Sequence, residues 1–314
     1  MASAFAVAES TTASRGAAVH RLRAQRSCTI FLAADRKVRN AYRAVSDALE
    51  KDFMNFKRTD APSRLQYKCM LGAIMLSGFL NPTAHAQGGP PFITDDPGTP
   101  GTNNWEINAA VIGAQSHQHW DLAAPDLDIN YGWGEHVQLK VDVNWASTLA
   151  ADGRLIAGLG ATDFGVKWRF VDQEKSGFVL SVYPQLLMNL VPSSVARGLT
   201  TDDREFFLPA EFSTEWGAFQ FDAELGRNFV ERGPDAWIGG VIVARTCGPG
   251  LQCGVELHGV LIGNQVEPLA NVGAHWQINK HVIVLAAAGR EFGSNFNDHQ
   301  SFLFYFGIQF LKEP

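Results

Sequence analysis

Apolar and polar side chains alternate along the ten residues from His136 to Trp145. The apolar positions are Val137, Leu139, Val141, Val143 and Trp145. Because the side chains of a β-strand alternate with a period of two, this segment predicts a strand with one apolar and one polar face. Such a strand fits a soluble sandwich, with its apolar face inward, or a membrane barrel, with its apolar face in lipid.

Similar segments recur after residue 102, separated by turn signals. Their number predicts an all-β protein with about twelve antiparallel strands. The predicted segments are 103–113, 124–132, 135–147, 160–171, 177–190, 204–216, 218–229, 235–246, 250–263, 267–278, 281–290 and 301–311. Two of them, 177–190 and 281–290, carry apolar residues on both faces.

The predicted connections alternate in length. Those at 114–123, 148–159, 191–203, 230–234 and 291–300 are long, and most of the intervening ones are short. An outer-membrane barrel has short turns at one end and long loops at the other, whereas a sandwich gives no reason for this pattern. The sequence therefore favours an antiparallel transmembrane β-barrel over a soluble sandwich.

Tryptophans support the barrel interpretation. Most of those on the apolar face lie near predicted strand ends, where membrane barrels carry interfacial aromatic girdles; they are Trp105, Trp133, Trp145, Trp168, Trp216 and Trp276. Burial in a sandwich core is the alternative, but a core does not require tryptophans near the strand ends.

Charged residues occupy the opposite face of several strands. In a sandwich they would form an ordinary solvated face, and in a barrel they would line the lumen together. The lumen-facing candidates are Lys140, Asp142, Lys167, Arg169, Asp222, Glu224, Glu256 and His258.

Charge divides the chain into two parts. Residues 1–86 contain 13 Lys and Arg against 6 Asp and Glu, and residues 87–314 contain 13 against 26, which gives net charges of +7 and -13. The acidic part argues against a nucleic-acid partner. A basic stretch from Met54, an uncharged run from Cys69 to Leu80 and the sequence Ala84-His85-Ala86 are typical of a cleavable signal peptide.

We therefore predict a signal peptide at 54–86, with cleavage after Ala86 and secretion to the bacterial outer membrane. Residues 1–53 would then be a mis-assigned or disordered extension, with Met54 as the true start. A buried helix or membrane anchor is the alternative, although the apolar run is shorter than the roughly 20 residues that a spanning helix needs. Residues 15–26 also resemble a mitochondrial transit peptide.

Residues 87–102 form a Gly- and Pro-rich leader before the barrel at 103–314. Its motif resembles the N-terminal signature of a bacterial family labelled "transporter" or "MetA-pathway of phenol degradation", and consists of Pro91, Phe92, Thr94, Asp95, Asp96 and Pro97. Weaker matches include Tyr183-Pro184 and the segments 163–170, 256–259 and 271–276. The resemblance implies a channel or transport-like outer-membrane barrel, with aromatic compounds as the expected solutes, and supplies no catalytic residue.

Candidate chemistry is sparse. His117 and His119 lie two residues apart but lack an evident third metal ligand, so we expect no metal site. Asp298, His299 and Ser301 have the residue types of a hydrolase, but Asp298 would point to the opposite face. Cys247 and Cys253 flank a short turn, where a disulfide and a free pair remain alternatives. We predict no enzyme activity and no cofactor.

The sequence thus predicts an outer-membrane channel for passive movement of small solutes. Its acidic character would favour cations or neutral solutes, and the leader and the loops at 191–203 and 291–300 would constrict it. Expected partners are outer-membrane lipid, a small-molecule solute and the barrel assembly machinery. One alternative is a structural or adhesion-type barrel with a filled lumen; a second is an outer-membrane lipid hydrolase.

Overall fold

The structure, a computed structural model, describes residues 89–116, 119–150, 152–292 and 299–313. The predicted extension at 1–53, the signal peptide at 54–86 and its cleavage point after Ala86 lie outside these residues. Within the described ranges, no helix is long and apolar enough to cross a membrane.

Twelve strands make up the described fold, and two of them are each interrupted once. They are β1 (Trp105–Gln115), β2 (His119–Trp133), β3 (Val137–Ala150), β4 (Leu155–Leu159 and Thr162–Val171), β5 (Phe178–Val182 and Gln185–Met188), β6 (Glu205–Trp216), β7 (Phe219–Val230), β8 (Ala236–Gly248), β9 (Leu251–Ile262), β10 (Gln265–Asn279), β11 (Val282–Glu291) and β12 (Phe302–Lys312). Two short helices lie in connections, α1 (Gln173–Ser176) and α2 (Pro192–Ala196).

The strands close into a barrel. Each strand pairs antiparallel with its neighbours in sequence, and β1 also pairs with β12, from Trp105 opposite Lys312 to Gln115 opposite Phe302. Closure leaves no exposed sheet edge, which is the condition for a sheet to span a lipid bilayer. The predicted antiparallel barrel of twelve strands is therefore confirmed.

The alternation of side chains follows the two sides of the barrel wall. On β3, Val141 is 39% exposed and Trp145 is 51% exposed, whereas the intervening Lys140 and Asp142 are buried. The same pattern on β9 exposes Val255 and Leu257 and buries Glu256 and His258. Apolar side chains thus cover the outside of the barrel, and polar side chains face the inside.

The first strand begins and the last strand ends at the short-turn end of the barrel. Trp105 begins β1 opposite Lys312, and the connection of two residues after Trp216 is at the same end. The opposite end carries the longest connection, residues 189–204, which contains α2. We call these the turn end and the loop end.

Two predicted loops are shorter than expected. Most of 114–123 and 148–159 belongs to β1, β2, β3 and β4, because β1 extends to Gln115, β2 begins at His119, β3 extends to Ala150 and β4 begins at Leu155. The polar residues His119 and Asp121 resembled a loop in the sequence, but they lie in β2. A barrel strand tolerates such residues on its inner face, which is why the strands extend further than the sequence predicts.

Five of the six predicted interfacial tryptophans lie near the turn end. They begin or end a strand, or lie within a few residues of its end, and their side chains are 39–78% exposed: Trp105, Trp133, Trp168, Trp216 and Trp276. Trp145 lies further along β3, opposite Leu159. The exposed Trp237 near the start of β8 provides an aromatic residue at the loop end, and it was not among the tryptophans predicted from the sequence.

Candidate functional site

The leader lies inside the barrel and not across its mouth. Phe92 and Ile93 are buried, and Thr94 has no exposed surface. Because β1 starts at the turn end, the described leader runs from inside the lumen to the rim before the first strand begins. The conformation of the leader is therefore determined by residues that line the lumen.

A recess in the wall accommodates the ring of Phe92. A Cβ atom at Gly254 of β9 or at Gly273 of β10 would lie 2.8 or 2.9 Å from atoms of this ring. Ile242 and Ala244 of β8 pack with it. The two glycines thus leave the space that the aromatic ring fills.

Glu256 holds the backbone of the leader. Its Oε1 atom accepts hydrogen bonds from the backbone nitrogens of Ile93, at 3.0 Å, and Thr94, at 2.6 Å. Its Oε2 atom accepts a bond of 2.6 Å from the amide of Asn271. Hydrogen bonds to a charged acceptor are stronger than neutral ones, so this fully buried carboxylate is a specific anchor.

Lys167 of β4 holds the leader from another part of the wall. Its Nζ atom lies 3.1 Å from Asp95 Oδ1 and 3.3 Å from Glu211 Oε2, and it also donates to the carbonyl of Asp96. The ring of Tyr183 faces the same ammonium group, with its centroid 4.5 Å from Lys167 Nζ. The cation thus links the leader to β4 and to β6.

The base of the leader is attached to the β2–β3 turn. The hydroxyl of Thr99 donates to the Glu135 carbonyl at 2.8 Å, and the hydroxyl of Thr102 donates to the Glu135 carboxylate. The bond from Thr102 lowers the pKa of the Glu135 carboxyl below its usual value. His275 adds a contact near the start of the described chain, with Nε2 3.0 Å from the Pro90 carbonyl oxygen.

A second cation inside the barrel, the ammonium group of Lys140, lies in an acidic cluster. Lys140 Nζ is 3.7 Å from Asp128 Oδ1, 3.9 Å from Asp142 Oδ2 and 3.7 Å from Asp163 Oδ2. Three carboxylates against one ammonium leave this part of the lumen negative. The cluster joins the inner faces of β2, β3 and β4.

The adjoining part of the wall is apolar. Inward-facing residues of β1, β2, β11 and β12 form one buried cluster: Ala110, Ile112, Ala123, Ile283, Leu285, Ala287 and Tyr305. These inward residues explain why the segment at 281–290 is apolar on both faces, since one side faces the lumen cluster and the other faces outward. The lumen therefore has an acidic side and an apolar side.

A cavity of about 180 Å³ lies between these two sides, bounded by the leader and by residues of the loop end. Leu199 and Thr200 from the 189–204 connection contribute to its lining. Seven carboxyl groups and one amino group line it among the described residues: Asp95, Asp126, Asp128, Asp142, Asp163, Glu205, Glu224 and Lys140. The lining of the cavity is therefore predominantly acidic.

The structure places seven of the eight predicted lumen-facing residues at buried positions inside the barrel. They are Lys140, Asp142, Lys167, Asp222, Glu224, Glu256 and His258. The eighth, Arg169, lies near the turn end, where its guanidinium is 3.3 Å from Asp172 and donates to the Glu135 carbonyl. Sequence reasoning missed Tyr183, Glu211 and Tyr305, because nothing local marks a residue whose partners lie on other strands.

The cysteine pair lies at the turn between β8 and β9. Cys247 and Cys253 are joined by a disulfide, with their Cα atoms 6.0 Å apart. Cys247 occupies an irregularity in the pairing of the two strands, between Thr246 and Gly248. The sequence alone could not choose between a bond and a free pair because this register was unknown.

A serine, a histidine and an aspartate meet at the loop end. Ser116 Oγ lies 3.0 Å from Nδ1 and 3.2 Å from Nε2 of His119, whose Nε2 is 3.0 Å from Asp121 Oδ2. One oxygen cannot lie along the in-plane axes of both ring nitrogens, so this contact is not the directed bond that activates a nucleophile. The three residues therefore do not have the geometry of a catalytic triad.

The other candidates for chemistry lie apart. Ser301 donates from its hydroxyl to the Gln115 carbonyl at 3.2 Å, while Asp298 lies outside the described residues. His117, the proposed partner of His119, is also outside them. Across the described ranges, no group of three or more His, Cys, Asp or Glu has the arrangement of a metal site.

Comparison with known proteins gives matches to structures only. No protein-family model matches the chain, and no curated protein matches its sequence. The resemblance to the phenol-degradation family therefore remains a prediction.

Among solved structures, the chain is similar to the COG4313 outer membrane channel from Pseudomonas putida F1. The TM-score is 0.54 at 8% sequence identity, over 74% of this chain and 99% of that chain. The KdgM porin in complex with disordered oligogalacturonate has a TM-score of 0.46 at 13% identity, over 65% of this chain and 98% of that one. The NanC porin has a TM-score of 0.47 at 8% identity, over 67% and 100%. At 8% identity the first match establishes the fold alone, which is that of a closed outer-membrane β-barrel.

Proposed function

We propose that this protein is a channel of the bacterial outer membrane through which small solutes pass down their gradients. One observation carries the proposal: an acid-lined cavity inside a closed barrel whose outer surface is apolar. The proposed function does not include hydrolysis, because Ser116, His119 and Asp121 lack the directed hydrogen bond between serine and histidine that hydrolysis requires. Lipid and the barrel assembly machinery are partners that follow from residence in this membrane.

The negative charge of the lumen determines which solutes we expect the channel to prefer. Lys140 is surrounded by Asp128, Asp142 and Asp163, and further carboxyl groups line the same cavity. Rings of acidic side chains favour cations over anions in a pore. We therefore propose that cationic and neutral solutes pass through the channel. Aromatic compounds are suitable solutes because one side of the lumen is apolar.

The leader is the proposed constriction. It crosses the lumen and is held by Glu256 and Lys167. The cavity remains open between the leader and the loop end of the barrel. A barrel of twelve strands is intermediate between small filled barrels and open porins, so an inserted segment narrows it strongly.

A structural barrel with a filled lumen is the second candidate. The observation in its favour is the extent of internal packing, since the leader, the recess around Phe92 and the apolar cluster around Tyr305 all occupy the interior. In this alternative the leader would be a permanent part of the core, and no solute would pass.

Efflux of three related sugars from proteoliposomes tests the proposal. Glucose is neutral, glucosamine is cationic and glucuronate is anionic, so that size is nearly constant while charge changes. We expect glucose and glucosamine to leave faster than from protein-free liposomes, with glucuronate the slowest of the three. Efflux equal to that of protein-free liposomes would support the filled barrel, and fastest efflux of glucuronate would contradict the acidic pathway.

A further inference from the structure

The cavity between the acidic and apolar sides has features of a binding site and not only of a passage. Its acidic side includes Asp126, Asp128 and Asp142, and its apolar side includes Ile112 and Leu303. A solute that satisfies both sides must carry a positive charge at one end and an apolar body at the other.

Two buried polar atoms point independently to a missing hydrogen-bond partner. The hydroxyl of Tyr305 has no hydrogen-bond partner among the described residues, and its side chain is only 9% exposed. Asp128 is 5% exposed, and its Oδ1 atom accepts no hydrogen bond within those residues, although Lys140 lies 3.7 Å away. Buried polar groups in native proteins are almost always hydrogen-bonded, so two such atoms in one lining require an explanation.

Both residues belong to the lining of the cavity, and they come from two strands that flank β1 in the barrel wall. Asp128 lies on β2 beside Lys140, and Tyr305 lies on β12 within the apolar cluster. An ammonium group donates up to three hydrogen bonds and accepts none, which complements a carboxylate oxygen and a phenolic oxygen. A phenyl or alkyl group attached to it would lie against Ile112, Leu303 and the ring of Tyr305.

We propose that this cavity binds an organic cation with a primary ammonium and a small aromatic or alkyl body. The ammonium contacts Asp128, Asp142 and the hydroxyl of Tyr305, and the apolar body packs against Ile112 and Leu303. The inference rests on the proposed function, because the channel would carry the cation that the cavity holds. The bound cation competes with Lys140 for the same carboxylates.

Equilibrium dialysis of the whole protein in detergent micelles tests the proposal. The probe is phenethylammonium, and three related compounds separate its features: 2-phenylethanol lacks the charge, phenylacetate reverses it, and ethylammonium lacks the aromatic body. We expect saturable binding of phenethylammonium that is at least about tenfold tighter than that of each related compound, since each lacks one charge-assisted or apolar contact.

Two variants and one control locate the site. Asp128→Asn and Tyr305→Phe preserve shape and should each weaken phenethylammonium binding, by about tenfold for the loss of the charged acceptor. Asp172→Asn removes the same charge at an exposed turn and should leave the affinity unchanged. Equal affinity for phenethylammonium and 2-phenylethanol, or binding that neither lumen variant weakens, would overturn the proposal.

Dialysis does not depend on transport, so the two proposals can fail separately. Sugar efflux without selective binding of phenethylammonium would leave the channel intact and reject the amine site. Selective binding without any efflux would support the cavity as a ligand-binding site. The same result would reject both the channel and the role of the cavity in transport.

Discussion

Glu256 Oε1 lies 3.0 Å from the backbone nitrogen of Ile93, although 163 residues separate the two along the chain. The contact joins the middle of β9 to a leader that has no regular secondary structure. Because the carboxylate also binds the nitrogen of Thr94, one side chain fixes two consecutive peptide groups of the leader.

Replacement of Glu256 by glutamine should loosen the leader. Glutamine keeps the size of the side chain but loses the charge, and hydrogen bonds to a charged acceptor contribute about 1.5–3 kcal/mol each. We expect more frequent transitions to a higher conductance in single-channel recordings of Glu256→Gln. Glu224→Gln is the control, since Glu224 is also an inward carboxylate, on β7. An equal frequency of these transitions in the two variants would show that Glu256 does not anchor the leader.

Enlargement of the recess glycines should displace Phe92. A methyl group at Gly254 or Gly273 would lie within 3 Å of the ring, so Gly254→Ala with Gly273→Ala should push the ring out of its recess and raise the mean conductance. Gly248→Ala is the matched control on β8, because its added carbon would meet Leu251 at 3.8 Å, an ordinary contact. Unchanged conductance in the double variant would show that Phe92 does not obstruct the pathway.

A charge on the outer surface should destabilise the barrel according to its depth. Val141 lies well inside β3 and is 39% exposed, so Val141→Lys should cost about 2–4 kcal/mol if it faces the centre of the bilayer. Val137→Lys, at the first residue of the same strand, should cost at most about 1 kcal/mol because it lies at the interface. Urea unfolding in lipid vesicles, followed by the gel mobility of unheated samples, measures both values. Equal costs would argue against a lipid-facing surface.

Acid should weaken the attachment of the leader to the β2–β3 turn. The hydrogen bond from Thr102 lowers the pKa of Glu135 below 4.5, so its contribution to stability is present at neutral pH and is lost as the pH falls through the lowered value. The unfolding midpoint in urea should therefore fall more steeply below about pH 4.5 in the native protein than in Glu135→Gln. Parallel pH profiles for the two proteins would assign the acid sensitivity to other groups.

The alternation of residues was sufficient to predict the barrel and the direction of most side chains. Val141 and Lys140 illustrate this, since adjacent positions in a strand must face opposite sides whatever surrounds them. The strand limits were harder to predict, because His119 and Asp121 at the loop end have the composition of a loop. The barrel interior accepts such residues, and local sequence cannot distinguish a polar strand end from a connection.

The interior of the lumen could be predicted only as a set of candidate residues. Glu256 and Lys167 were among the inward candidates, but their shared role as anchors of the leader depends on pairings across the barrel. Tyr305 illustrates the remaining difficulty: it lies in an aromatic strand, and its neighbours Ile112 and Leu285 come from β1 and β11. Contacts of this kind depend on barrel closure and register, which no local pattern contains.

The reversal potential in a planar bilayer is the sharpest test of the proposed channel, because it requires both an open pathway and an acidic lumen. With a tenfold gradient of potassium chloride across the membrane, we expect a measurable conductance and a reversal potential of the sign set by potassium. Asp142→Asn should move this potential toward zero, since it removes one of the carboxylates beside Lys140. If the barrel is folded and inserted but does not conduct, or if its reversal potential has the sign set by chloride, the protein is not a channel with an acidic pathway.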